Sequence, residues 1–208
     1  MALDRQRPAE LITSRRNPLV KRLRELHAAM GRLEQGLVLL EGTLLVQEVI
    51  RLQLMPSDLL TSELLATEAW LGAHGDLVAA LAPAVTIQPV GQEVLEAVAT
   101  TAHPDGVVLT LAAAALQAPS DGQEFVLVLD GLQDPGNLGT LMRTALAAGV
   151  DGLWLAEGAD PFQPKVLRAS AGAALALPIE RMDRSALVQR LITAAARGLQ
   201  LVAVVPPL

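Results

Sequence analysis

Residues Phe125–Leu155 read FVLVLDGLQDPGNLGTLMRTALAAGVDGLWL. Phe125–Leu129 is a continuous apolar run, the pattern of a strand buried on both faces of a parallel sheet. Asp130–Asn137 is polar and rich in Gly and Pro, hence a loop. Leu138–Ala148 has helical spacing and stops at Gly149, placed at C′. Gly152–Leu155 is a second strand. Strand, loop, helix and strand in this order predict a right-handed parallel crossover. Farther on, Pro164–Ala174 is expected to be a helix with Pro164 at N1. Ser185–Arg197 is another, ended by Gly198, and Leu199–Val205 is expected to be a further strand. Together these make the opening half of a doubly wound α/β sheet.

Upstream, the pattern is again mixed. Ser14–Met30 is read as a capped helix, with Asn17 at the N-cap and Pro18 at N1, where a missing N–H costs nothing. Leu19, Leu23, Leu26 and Met30 form its apolar stripe. Leu37–Leu40 is a short buried strand and Thr43–Leu52 a helix. Asp58–Thr61 is a possible strand, and Ser62–Leu81 is read as mostly helical with a break near Gly72–Gly75. Val85–Val90 alternates as a strand does, Gln92–Ala99 is a helix, and Gly106–Ala112 is rich in β-formers. The pattern lapses over Ala113–Glu124, where Pro119-Ser120-Asp121-Gly122 is turn chemistry. The expected organisation is a domain over 1–115, a linker over 116–124 and a second domain over 125–208.

Composition narrows the chemistry. With 208 residues there is room for a substantial core, and with no Cys there is no disulfide, thiolate metal site or Cys nucleophile. Mean hydropathy is +0.40, yet no apolar run approaches the roughly 20 residues that span a bilayer. No apolar signal segment follows Met1-Ala2-Leu3-Asp4-Arg5. No membrane association and a cytoplasmic location are therefore expected. Aromatic residues make up 2%, too few for a base-stacking platform. The net charge is −6, but residues 1–32 carry eight basic and three acidic side chains, a local +5 against −11 for the remainder. Such an arm either contacts a polyanion or is a solvated helix face.

In open parallel sheets, ligands bind at the carboxyl ends of the strands, so the Asp130–Asn137 loop is the first place to look. Gly131, Gly136 and Gly139 permit tight turns and close approach. Asn137 or Asp134 would cap the helix. Arg143 lies about 1.7 turns beyond Asn137 and is expected roughly opposite Gly139–Thr140. The spacing is neither G-x-G-x-x-G nor a P-loop, although Glu157 falls where a ribose-binding acid would, about 20 residues past Gly136. A dinucleotide site and a purely geometric turn both remain open on spacing alone. His27, His74 and His103 lack metal-ligand spacing, so no metal is expected, and no Ser-His-Asp arrangement is suggested.

The segment DGLQDPGNLGTLMRTALAAGVDGL closely resembles the first motif of the SpoU/TrmH branch of SPOUT RNA methyltransferases. That motif pairs an Asn with an Arg six residues later, here Asn137 and Arg143. Lys165–Ala173 is similar to the family's K-x-x-R-x-S-x-G-A segment. Ile12–Lys21, Leu40-Glu41-Gly42 and His103-Pro104-Asp105-Gly106 resemble the substrate-binding domain that precedes the catalytic one in many members. The resemblance covers nearly the whole chain. It implies a small ribosomal-protein-like α/β/α domain that binds RNA, followed by a Rossmann-like α/β-knot domain.

The function so implied is methyl transfer from S-adenosylmethionine to a ribose 2′-hydroxyl of ribosomal or transfer RNA. Arg143 would act on the hydroxyl. Because a guanidinium is a reluctant base, binding the adjacent phosphate and lowering the hydroxyl pKa is the fitting role. Asn137 would position Arg143 or the ribose. Arg15, Arg16, Lys21, Arg22, Lys165, Arg168 and Ser170 are the expected RNA contacts, and a homodimer is expected. The family's two cofactor motifs, G-N-E-x-x-G-[LI] and S-L-N-V-[SA], do not occur in these 208 residues. The cofactor residues are therefore unknown. The chain is expected to be cut before its knot, with apolar edges left along Phe125–Leu129 and Leu199–Val205, and its activity alone is in question. The alternatives are a non-catalytic RNA-binding module and, more remotely, a dinucleotide enzyme.

Overall fold

A computed structural model describes residues 9–54, 62–82, 84–116 and 122–204. In the N-terminal half, α1 (Pro18–Glu25) and α2 (Ala29–Gln35) precede β1 (Leu37–Glu41) and α3 (Thr43–Arg51). Then come β2 (Glu63–Ala66), α4 (Glu68–Ala73), α5 (Gly75–Leu81), β3 (Thr86–Pro89), α6 (Gln92–Val98) and β4 (Val107–Ala112). The strands form one sheet in the order β1-β4-β2-β3, with β4 antiparallel to β1 and β2, and β2 parallel to β3. Alternate residues of β1 point to opposite faces. Leu37 and Leu39 pack with Val20, Leu23, Leu26 and α6, while Val38 and Leu40 pack with Leu45, Val46 and Val49 of α3. Helices thus cover both faces, giving the expected α/β/α layering.

Two expectations for this half need correction. The helix read over Ser14–Met30 is two helices. Asn17 does cap the first, accepting from Leu19 N at 2.9 Å, but the chain turns after Leu26. Gly31 presses against the Glu25 backbone so closely that a Cβ would sit 2.1 Å from the Glu25 carbonyl oxygen. Met30 consequently leaves the apolar stripe and is 62% exposed. Within Ser62–Leu81, read as helical, Glu63–Ala66 is a strand. Glu, Leu and Ala favour helices in isolation, but between β3 and β4 this segment gains a ladder on both sides. The expected strand over Asp58–Thr61 lies outside the described residues. The break near Gly72–Gly75 falls at His74, between α4 and α5.

The second half builds a parallel sheet, β5 (Val126–Asp130), β6 (Gly152–Ala156) and β7 (Ile179–Met182), in that order. Between and after the strands run α7 (Pro135–Ala147), α8 (Pro164–Ala169), α9 (Ala173–Ala176) and α10 (Arg184–Ala196). The central β6 is buried throughout, whereas β5 at the edge is only partly covered. The helix expected over Pro164–Ala174 breaks because Ala171 and Gly172 take φ of +47° and +90°. The strand expected from Leu199 is not formed over the described residues, and Val205 lies outside them. Leu199 closes the end of α10, its N–H bonding to the Ala194 carbonyl, and Leu201, Val202 and Val204 are exposed. Ile179–Met182, whose two charges hide the pattern, is the third strand of this sheet among the described residues.

The two sheets do not sit on separate cores. One apolar cluster joins Val38, Leu40 and Leu109 to Leu138, Met142 and Val166. Arg32 of α2 crosses to Asp160, with Nη2 2.6 Å from Oδ2.

Candidate functional site

The β5–α7 loop ends at Asp134, whose Oδ1 accepts from Asn137 N at 2.7 Å. Asp134 is therefore the N-cap and Pro135 occupies N1. Asn137, the other cap candidate, sits at N3 with its side chain in solvent. Positions i, i+3 and i+4 share a helix face, so Gly139, Thr140 and Arg143 lie on one side of α7. The expectation that Arg143 points away from Gly139–Thr140 is thereby corrected. Gly139 lets α7 approach the end of α8: a Cβ there would be 2.5 Å from the Ala169 Cβ and 2.8 Å from the Ser170 nitrogen.

Arg143 opens into a cleft of about 620 Å³. Its walls are Thr140 and Thr144 of α7, the Ala171–Gly172 turn, and Glu48 from α3 of the other half. Arg143 is exposed and has no ion-pair or hydrogen-bond partner among the described residues. Thr140 and Thr144 donate back to the Gly136 and Thr140 carbonyls at 3.0 and 3.1 Å, so their side-chain oxygens keep acceptor capacity. Helix arithmetic from Arg143 would have found Thr140, and from Thr140 it would have found Thr144. Nothing in the sequence signals Glu48, which arrives by tertiary packing and holds Arg51 in an ion pair at 2.6 Å.

The remaining expected contacts divide by what holds them. Arg16 and Lys21 are exposed without a partner among the described residues, as is Lys165 at the start of α8. Arg15 bonds to the Glu93 carbonyl at 3.1 Å and lies 3.7 Å from the Glu93 carboxylate, and Arg22 is paired with Glu63. Arg168 is tied to Glu41 and Thr100. Ser170 is fully buried, donating to the Leu167 carbonyl at 2.8 Å and accepting from Ala174 N at 3.3 Å. With its hydroxyl used inside the turn it has no surface to offer RNA, and its expected role is revised to holding that turn. The basic arm is likewise thinner than its count, because Arg32 is buried against Asp160, while Arg5 and Arg7 lie outside the described residues.

The carboxyl ends of β5 and β6 show what a nucleoside cofactor would meet. The two loops bond to each other: Gly131 N to the Ala156 carbonyl, and Ala159 N to the Leu132 carbonyl, both at 2.8 Å. A Cβ on Gly158 would lie 2.4 Å from the Leu132 oxygen. Arg184 bridges Asp130 at 3.0 Å and Glu157 at 3.4 Å. Hydrogen bonding to Asp130, then attraction to Asp130 and Glu157, raises its pKa further. The Gly131 and Ala159 amides and the Asp130, Glu157 and Arg184 side chains are thus engaged within the protein. No residue of these ends is assigned to hold S-adenosylmethionine. Among the described residues no cluster of three His, Cys, Asp or Glu could hold a metal, and no helix is long and apolar enough to cross a membrane. His27 bonds to the Val98 carbonyl, and His74 stacks on Trp70 at 4.5 Å.

Comparison with known proteins completes the picture. Residues 124–206 match the SpoU rRNA Methylase family, and residues 17–109 match the MRM3-like substrate binding domain. The chain is 43% identical over 199 residues to an uncharacterized tRNA/rRNA methyltransferase of Synechocystis, covering 94% of this chain and 70% of that protein. It is 30% identical over 184 residues to the 23S rRNA (guanosine(2553)-2′-O)-methyltransferase RlmP of Bacillus subtilis, covering 86% and 68%. An AdoMet-bound rRNA methyltransferase from Sinorhizobium meliloti superposes with a TM-score of 0.72 at 28% identity, over 89% of this chain and 69% of that one.

Proposed function

Because the chain belongs to the SpoU/TrmH family of RNA methyltransferases, we propose that it serves methyl transfer from S-adenosylmethionine to a ribose 2′-hydroxyl of RNA. The similarity to RlmP supports ribosomal RNA as the substrate class, and the AdoMet-bound relative supports the donor. The observation that carries this reading is Arg143, an unpaired cation in a cleft that both halves of the chain wall.

A ribose hydroxyl is a poor nucleophile and must be deprotonated or polarised. Arg143 stays charged. Bound to the phosphate beside the target ribose, it favours the alkoxide over the hydroxyl and lowers its pKa. Asn137, one face away on α7, positions the ribose or the guanidinium. Arg16, Lys21 and Lys165 supply phosphate contacts, whereas Arg15 and Arg22 must exchange an acidic partner to do so. The working division is an RNA-binding domain over 1–115, a linker over 116–124 and the catalytic segment over 125–208. We also hold a homodimer and a cytoplasmic location as proposals; exposed Val188 and Ile192, i and i+4 on α10, are apolar surface that a second subunit would cover.

The test is ribosomal RNA methylation by wild type and Arg143→Ala. The variant should lose a factor of about 10²–10³ in rate and no more RNA affinity than one phosphate contact, a salt slope lower by about one; undiminished methylation overturns the assignment. The double variant Arg16→Ala/Lys21→Ala should bind RNA more weakly and lower the salt slope of log K by about two. An unchanged slope removes both residues from the RNA surface.

A further inference from the structure

Three segments far apart in sequence meet where the halves join: Glu41-Gly42, the Thr100–Asp105 stretch and Arg168 of α8. We propose that Glu41 and Arg168 form a strut that sets the RNA-binding half against the wall of the Arg143 cleft. Arg168 is then a positioning residue and not an RNA contact. The proposal rests on the functional reading above for the importance of Arg143.

Glu41, the last residue of β1, has a side chain only 2% exposed. One oxygen accepts from Thr100 N at 3.0 Å and Thr100 Oγ1 at 2.6 Å, and the other from Thr101 N at 3.3 Å. Arg168 Nη1 closes the set, 2.7 Å from Glu41 Oε2 and 2.6 Å from Thr100 Oγ1. Arg168 thus spends Nη1 on a carboxylate and a hydroxyl of the other half, and moving that nitrogen to a phosphate would leave the buried carboxylate uncompensated. Buried pairs add little net stability, and their best-attested use is fixing register. Here the register has a direct line to the cleft. Arg168 is followed by Ala169 and Ser170, the atoms on which Gly139 rests. Arg143 lies one turn beyond Gly139 on the same face. From the other side, the Glu48 side chain of α3 presses on Gly172, where a Cβ would be 2.6 Å from its Cγ. The N-terminal half therefore grips the α8–α9 turn at both ends, and that turn seats α7.

The chain has no Cys, so two introduced thiols label cleanly. Gln47 on α3 and Ala147 on α7 are exposed, one in each half, and Ala147 lines the cleft; both are replaced by Cys. Spin labels there should give one narrow distance distribution in the otherwise wild-type chain. Arg168→Ala and Glu41→Gln should broaden or shift it, and Arg168→Lys should recover part of the loss. Thr100→Val, at an exposed position, should move it partway and keeps the test open if a charge variant does not fold. Distributions that superimpose on wild type in all folded variants overturn the strut. Binding of a fluorescein-labelled single-stranded RNA of mixed sequence supplies the second arm. Arg168→Ala should leave the salt slope unchanged, and Glu41→Gln, which frees the cation, should not tighten binding. A slope lower by about one makes Arg168 an RNA contact and overturns the proposal. Failure of the wild-type chain to bind RNA would overturn the functional reading instead, and the distance measurement would still decide the strut.

Discussion

The basic residues of this chain differ more in partnership than in sequence context. Arg143 and Arg16 stand without a counter-charge among the described residues, while Arg168 and Arg32 are consumed by carboxylates from the opposite half. A count of charges along the chain cannot make that distinction. It depends on which carboxylates the fold brings near, and those lie 128 residues from Arg32 and 127 from Arg168. Asp151 shows what a single carboxylate does locally. Its Oδ2 accepts from Phe125 N at 2.8 Å and Glu124 N at 3.0 Å, anchoring the entry to β5. These bonds, Phe125 first and Glu124 second, hold its pKa below the ordinary 3.8. A depressed folded-state pKa gives stability that is full above the unfolded value and lost as pH falls through the folded one. Asp151→Asn should therefore melt below wild type at neutral pH, and the gap should shrink as pH drops below 3.8. Thermal melts at several pH values test this; a gap that stays constant into acid shows that the charge on Asp151 does not matter.

At the scale of elements, long segments with strong punctuation were legible and short ones were not. Gly149 marks the end of α7 in the sequence, but the pattern puts its start at Leu138 and it lies at Pro135, since Asp134 and not Asn137 takes the cap; the continuous apolar runs of β5 and β6 mark the sheet. β2 was hidden because its Glu-Leu-Leu-Ala composition favours a helix until two neighbouring strands claim it. The α8 break was hidden because Ala171 takes a positive φ that its residue type does not announce. Glycines in helices make the complementary point. Gly139→Ala drives a methyl into Ala169 and Ser170 and should destabilise by about 1–3 kcal/mol, the usual cost of overpacking. Gly72→Ala in α4 meets nothing within 4 Å and should stabilise by up to about 1 kcal/mol through helix propensity. Urea midpoints of the two variants should move in opposite directions. If Gly139→Ala is neutral, the close approach of α7 to α8 is not a constraint.

For the whole molecule, the family and the order of layers were readable, but not the way the halves lock together. Asn137 and Arg143 were legible as a spaced pair, yet the cleft needs Glu48, and the docking needs Glu41, Arg168, Arg32 and Asp160. These are contacts between segments that no local pattern links. The lock has a thermodynamic consequence. Arg32 is 7% exposed. It donates to the Leu26 and His27 carbonyls at 2.7 and 2.9 Å and meets Asp160 at 2.6 Å, so it joins α1, α2 and the loop after β6 at one point. Removing one partner of a fully buried pair costs about 3–5 kcal/mol, but Asp160 also has Arg181 at 3.5 Å and the Phe162 N–H at 3.0 Å. Arg32→Ala should lose stability toward the lower end of that range. Since the apolar cluster runs through both sheets, the loss should appear as a shift of one cooperative transition. Denaturation followed at Trp70, in the first half, and Trp154, in the second, reads the two sheets separately, using Trp70→Phe and Trp154→Phe backgrounds. Coincident curves that shift together in Arg32→Ala are the expected result. Curves that separate in wild type would mean the halves unfold independently and that the shared core does not couple them.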